Sequence, residues 1–150
     1  MAARSNWSEL FQHASLDVLN LADPIGQSQL DLVQRPERFD HFHPARQQEF
    51  LYGRVCAAKA AFNITGKHYW EIGVGEHRAP IWPDGLVGSI THGAGVVAAA
   101  VGRSPQLLGV GIDLEQRGRV KDRLSRIILS SNDLSTVPEM EQEDLLALIF

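Results

Sequence analysis

The stretch R-A-P-I-W-P-D-G-L-V-G-S-I-T-H, from Arg78 to His92, decides the reading of this chain, together with G-V-G-I-D-L-E from Gly109 to Glu115. Pro80 and Pro83 lack backbone donors and disfavour helix at the residue before each, so Gly75 to Gly85 is expected to be an extended loop. Leu86 to Thr91 and Gly95 to Val101 read as two strands joined through His92, Gly93 and Ala94. The alanines at 98–100 are compatible with helix, but the shortness of the run and its flanking glycines favour a strand. Arg103, Ser104 and Pro105 make a connector, and Leu107 to Leu114, dense in apolar residues and glycine, is expected to be another strand.

Outward from this core, Trp70, Ile72 and Val74 alternate in the manner of a strand. A helix is expected from Pro44 to Phe62, because proline in a first turn sacrifices no intrahelical donor. Leu51, Val55, Ala58 and Phe62 fall at helical spacing and are expected to face the core, with Asn63 and Gly66 as stop signals. The segment up to Phe42, punctuated by Pro24, Gly26 and Pro36, reads as strands and loops. Arg123 to Leu129 suggests a short helix with Asp122 as N-cap. Gln142 to Phe150 suggests an apolar helix without a stop signal.

With 150 residues, 44% hydrophobic and 21% charged, the composition is that of an ordinary globular protein. A net charge of -4 weighs against general nucleic-acid binding, though not against a local basic pocket. The single cysteine, Cys56, excludes an intramolecular disulfide and suits a reducing compartment; among helical alanines it reads as a buried small residue. Neither a signal-peptide pattern nor an apolar run long enough to cross a bilayer is present, so a cytoplasmic location is expected.

Asp113 and Glu115 stand two positions apart at the end of the last expected strand, so both carboxylates point to one face, roughly 7 Å apart. Two such acids repel each other unless a cation lies between them, and magnesium prefers carboxylate oxygens shared with substrate phosphates. Solvated acids at a strand end are the competing reading, and the residues alone leave both open. His92 and the Thr91 hydroxyl, followed by Gly93 and Gly95, suit phosphate contacts beside a closely approached backbone. A tight hairpin with an exposed histidine explains the same pattern. Arg46, Arg54, Lys59 and Arg78 are the basic candidates, although each alone is more often a solvated surface residue. Trp82 reads as a packing anchor, and the remaining histidines lack zinc-ligand spacing.

Together, the Arg78–His92 motif, the G-I-D-L-E of Gly111–Glu115 and the helix E-F-L-Y-G-R-V-C-A-A-K of Glu49–Lys59 resemble the siderophore-associated branch of the large phosphopantetheinyl transferases. The resemblance implies an α+β fold of two similar halves related by a pseudo-two-fold axis. Residues 1–105 would be the first half and 106–150 the start of the second. It implies magnesium-dependent transfer of 4'-phosphopantetheine from coenzyme A to a serine of an apo carrier protein in siderophore or non-ribosomal peptide synthesis. Asp113 and Glu115 match the magnesium-binding acids, Thr91 and His92 the positions that contact coenzyme A phosphates, and Arg54 a basic position near the nucleotide end. Arg46 and Arg78 are further carry-overs to the coenzyme site. The family's next motif, an aromatic residue followed by Lys-Glu, would begin at Phe150, so residues 1–150 alone are expected to fall short of activity. Two other readings stay in view: a non-catalytic coenzyme A- or carrier-binding fragment completed by another chain, and a metal-dependent nuclease, which the acidic balance disfavours.

Overall fold

The hairpin made by β4 (Leu86–Gly93) and β5 (Val96–Arg103) carries the fold of this computed structural model, which describes residues 12–114. The strands pair antiparallel from Leu86 opposite Arg103 to Gly93 opposite Val96. The reversal is made by Ala94 and Gly95 alone, with φ of 51° and 79°. A two-residue loop with both angles positive matches the twist of the strands it joins. The turn therefore starts two residues later than expected, and His92 belongs to the strand itself. β1 (Ala14–Asn20) adds to the other edge of β5, giving an antiparallel sheet of order β1-β5-β4.

One face of this sheet is covered by a long helix. A single turn, α1 (Gln27–Leu30), precedes it; α2 runs from Pro44 to Thr65, three residues past the expected end. His43 caps its start through Nδ1, which accepts from the Ala45 N–H at 3.3 Å. Gly66 ends it in the left-handed conformation at φ 74°, and its N–H closes onto the Phe62 carbonyl at 2.8 Å. Val55, Cys56, Ala57, Ala58, Ala60 and Ala61 are all fully buried. Small residues let the helix lie close on the strands, and a Cβ at Gly53 would come within 2.9 Å of Ile90 Cγ2. Cys56 packs with Ala57, Ile72 and Ala99 as expected, and burial pushes its thiol up to about 12, with Asp17 adding to the shift.

Four expectations need correction. Phe62 is 43% exposed and stacks on His68 at 4.3 Å instead of entering the core. Its spacing is helical, but in the last turn of α2 it is Asn63 and Ile64 that meet the sheet, through Ser15 and the cluster around Leu86 and Val101. Of the alternating Trp70–Val74 run, only Gly73–Val74 forms a strand, β2. The proline-rich loop contains its partner, β3 (Pro80–Ile81), with Gly73 opposite Ile81 and Val74 opposite Pro80. Pro80 tolerates this place because a two-stranded ribbon leaves one side of each strand unpaired. Leu107 to Leu114 joins no described strand. Both edges of β5 are already occupied, Leu108 is 97% exposed, and the segment is anchored where Leu107 and Val110 close on Gly102.

Residues 12–113 belong to one compact unit, and its mixture of helix and antiparallel sheet is the expected α+β class. The expected helices at 123–129 and 142–150, Glu115, and most of the expected second half lie outside the described residues. Among the described residues, no helix is long and apolar enough to cross a membrane.

Candidate functional site

Strand alternation in β4 sorts the expected site residues onto two faces. Ile90 points toward α2, where it meets Gly53, and His92, two residues on, shares that face. Thr91 points to the other face. There it is 8% exposed, and its hydroxyl donates to Asp113 Oδ1 at 3.0 Å.

On the helix face, a cavity of about 480 Å³ opens between the first turns of α2, the end of β4 and the β2–β3 ribbon. Its polar lining comprises Arg46, Glu49, Arg54, Arg78, His43 and His92. Its apolar wall includes Phe42 and Phe50, two members of an aromatic cluster with Phe39 whose ring centroids lie 5.7–6.4 Å apart. Four of the five expected coenzyme residues thus surround one cavity; Thr91 does not, and instead holds Asp113. Lys59, although on the same helix, is absent from the lining.

Arg54 is 6% exposed. Its Nε donates to the Ile72 carbonyl at 2.9 Å and its Nη2 to the Gly73 carbonyl at 3.0 Å, tying α2 to β2. Its guanidinium lies 4.6 Å from the Phe50 ring centroid. Burial, and secondarily the Arg46 charge, lower its pKa to about 10, so it remains cationic at neutral pH. The repulsion between these arginines is relieved when an anion enters beside them. Arg78 reaches the cavity from a backbone at φ 66°, in a tight turn that starts with His77 at φ 52°.

The sequence reading missed Glu49. It lies three residues after Arg46, one helical turn along, the spacing at which opposite charges meet. Its Oε2 is 3.3 Å from Arg46 Nη1 and its Oε1 is 3.4 Å from His92 Nδ1, while Arg46 Nη1 and His92 Nε2 are 2.5 Å apart. The spacing signal was present, but its use depends on β4 delivering a histidine from 43 residues away.

Asp113 supplies hard carboxylate oxygen of the kind magnesium prefers, already oriented by Thr91. Its expected companion Glu115 lies outside the described residues, and no group of three His, Cys, Asp or Glu side chains among the described residues is placed to hold a metal. Asp113 is exposed rather than emerging from a buried strand, which corrects the local argument made for it. Trp82 packs against both buried clusters under the sheet, as expected of an anchor.

A small α+β unit thus sets a cavity lined by three arginines on one face of β4 and an oriented acid on the other. Residues 35–102 match the family model described as the 4'-phosphopantetheinyl transferase N-terminal domain. The match takes in both the helix from Glu49 to Lys59 and the motif from Arg78 to His92 on which the resemblance rested. The chain is 38% identical over 103 residues to the 4'-phosphopantetheinyl transferase Npt of Nocardia iowensis, covering 61% of this chain and 46% of that protein. Against the transferase PptT of Mycobacterium tuberculosis it is 44% identical over 70 residues, covering 47% and 30% respectively. With enterobactin synthase component D of Escherichia coli it shares 34% over 96 residues, covering 63% and 44%. The matched regions span less than half the length of these relatives.

Proposed function

We propose that the whole protein transfers 4'-phosphopantetheine from coenzyme A to a serine of an apo carrier protein, with the nucleotide end of coenzyme A held in the cavity lined by Arg46, Arg54, Arg78 and His92. The observation that carries this reading is the convergence of three arginines and a histidine on one cavity, within a domain matched to this transferase family. The serine oxygen forms a bond to the phosphorus that bears the pantetheine, and the bond from that phosphorus to the 3',5'-ADP leaving group breaks. The serine proton is lost to solvent or to a nearby base.

In this reading Arg46 and His92 bind the ribose phosphate remote from the reacting bond, and the aromatic wall shelters the nucleoside. Arg54 is first a strut between α2 and β2 and second a source of positive potential. Asp113, steadied by Thr91, and Glu115 would hold magnesium, which when bound neutralises pyrophosphate charge and favours departure of the nucleotide. The two-half arrangement with a pseudo-two-fold axis belongs to the same proposal.

The test is the mass of an apo carrier domain after incubation with the whole protein, coenzyme A and magnesium. A gain of one phosphopantetheine is expected, and none at any enzyme concentration overturns the reading. His92→Ala is expected to raise KM for coenzyme A about tenfold or more, with a smaller change in kcat, because a contact remote from the chemistry acts alike on ground and transition states. Dephospho-coenzyme A, which lacks the ribose phosphate, is expected to be indifferent to the substitution.

A further inference from the structure

We propose that Glu49 is a positioning residue for the phosphate-binding pair, holding His92 by Nδ1 and Arg46 by Nη1 so that both are set at the cavity wall before ligand arrives. The inference rests on the reading that the cavity takes the phosphorylated end of coenzyme A, and it adds a residue to that reading.

The argument is one of donors and acceptors. Arg46 Nη1 lies 2.5 Å from His92 Nε2, and a guanidinium can only donate. In the ligand-free protein His92 Nε2 must therefore accept, which places the ring proton on Nδ1; Nε2 meets a phosphate only when Arg46 turns from it to the ligand and the phosphate's own proton takes that place. That nitrogen faces Glu49 Oε1 at 3.4 Å, where a donor is what the carboxylate needs. The opposite tautomer would set two donors against each other at Nε2 and a lone pair against an anion at Nδ1. Glu49 Oε2, at 3.3 Å from Arg46 Nη1, closes the triangle. All three side chains line the cavity, with side-chain exposures of 41% for Arg46, 26% for Glu49 and 39% for His92.

Without the carboxylate, the imidazole is free to turn over and Arg46 loses the partner that keeps it against β4. Phosphate binding then has to order both groups, and ordering a long side chain weakens association. Partly exposed ion pairs contribute little to stability, so the substitution is expected to leave the fold intact.

The experiment measures binding of coenzyme A and dephospho-coenzyme A by titration calorimetry to the wild type, Glu49→Ala and Glu49→Gln, with the ring-nitrogen NMR spectrum of His92 recorded on each. The wild type is expected to prefer coenzyme A and to show the Nδ1–H tautomer. Glu49→Ala is expected to bind coenzyme A about tenfold more weakly, to bind dephospho-coenzyme A nearly as before, and to show mixed tautomers. Glu49→Gln, whose amide oxygen still accepts from Nδ1–H, is expected to restore the tautomer and much of the preference. Equal weakening toward both ligands, or an unchanged preference and tautomer in Glu49→Ala, overturns the positioning role. If the wild type itself makes no distinction between the ligands, the coenzyme reading of the cavity fails, and the His92 spectrum alone still decides whether Glu49 sets the ring.

Discussion

Gly88 shows most directly why this strand carries the sequence it does. A Cβ there would lie 2.6 Å from both the Ala100 carbonyl oxygen and Trp82 Cζ2. The carbonyl belongs to the β4–β5 ladder and cannot yield, and the indole is wedged against two buried clusters. The glycine is the slot that admits the Cζ2–Cη2 edge of Trp82 and thereby fixes the proline-rich segment that delivers Arg78. Gly88→Ala is expected to cost about 3 kcal/mol, at the upper end for overpacking, read as a lower urea midpoint with an unchanged slope. A midpoint equal to wild type would show that Trp82 has somewhere else to go. The tryptophan's packing role was legible in the sequence, but its partner was not, because a glycine declares what it permits only when the second surface is in place.

Among the elements, the β4–β5 hairpin is closed by a residue that does not suit its backbone. Ala94 occupies the left-handed region at φ 51°, where an L side chain with a Cβ is disfavoured and asparagine is tolerated. Ala94→Asn is expected to stabilise the domain by about 0.5 kcal/mol and raise Tm by a few degrees, measured by thermal unfolding. A lower Tm would mean that the methyl group makes a contact that outweighs the strain. The strand identity of the alanine run 98–100 was legible, since its glycine flanks and brevity outweighed the helix propensity of alanine. The position of the turn was not, because Gly93 and Gly95 offer competing reversals, and the choice depends on the register in which Leu86 meets Arg103. Helix α2 was recoverable from Pro44 and Gly66, yet Phe62 was misplaced because helical spacing shows which residues share a stripe but not which stripe the sheet meets in the last turn, where Ile64 packs inward and Phe62 does not. The Leu107–Leu114 segment misled for the related reason that an apolar, glycine-rich run satisfies the composition of a strand whether or not an edge is available to it.

Across the whole described unit, strand alternation at two consecutive residues divides the work. His92 belongs to the cavity with Arg46, Glu49, Arg54 and Arg78, whereas Thr91 turns away to hold Asp113 on the opposite face. The sequence placed Thr91 and His92 side by side and invited one role for both; the two-residue period of a strand separates them. Binding and metal-dependent chemistry are therefore expected to be separable by mutation. Asp113→Ala in the whole protein should abolish transfer while leaving coenzyme A affinity without magnesium within about twofold of wild type, because a carboxylate that serves the coenzyme through the metal lends it no attraction when the metal is absent. His92→Ala should do the reverse, weakening magnesium-free binding while retaining transfer at saturating coenzyme A. Thr91→Val, which removes the donor to Asp113 but keeps the shape of the side chain, is expected to follow Asp113 in raising the magnesium concentration needed for half-maximal activity. Thr91→Ser is expected to restore much of that loss. Titration calorimetry without metal and carrier-protein mass over a magnesium series make the comparison. If Thr91→Val weakened metal-free coenzyme A binding as much as His92→Ala does, the hydroxyl would be reading the ligand's phosphates and the division between the two faces would be wrong.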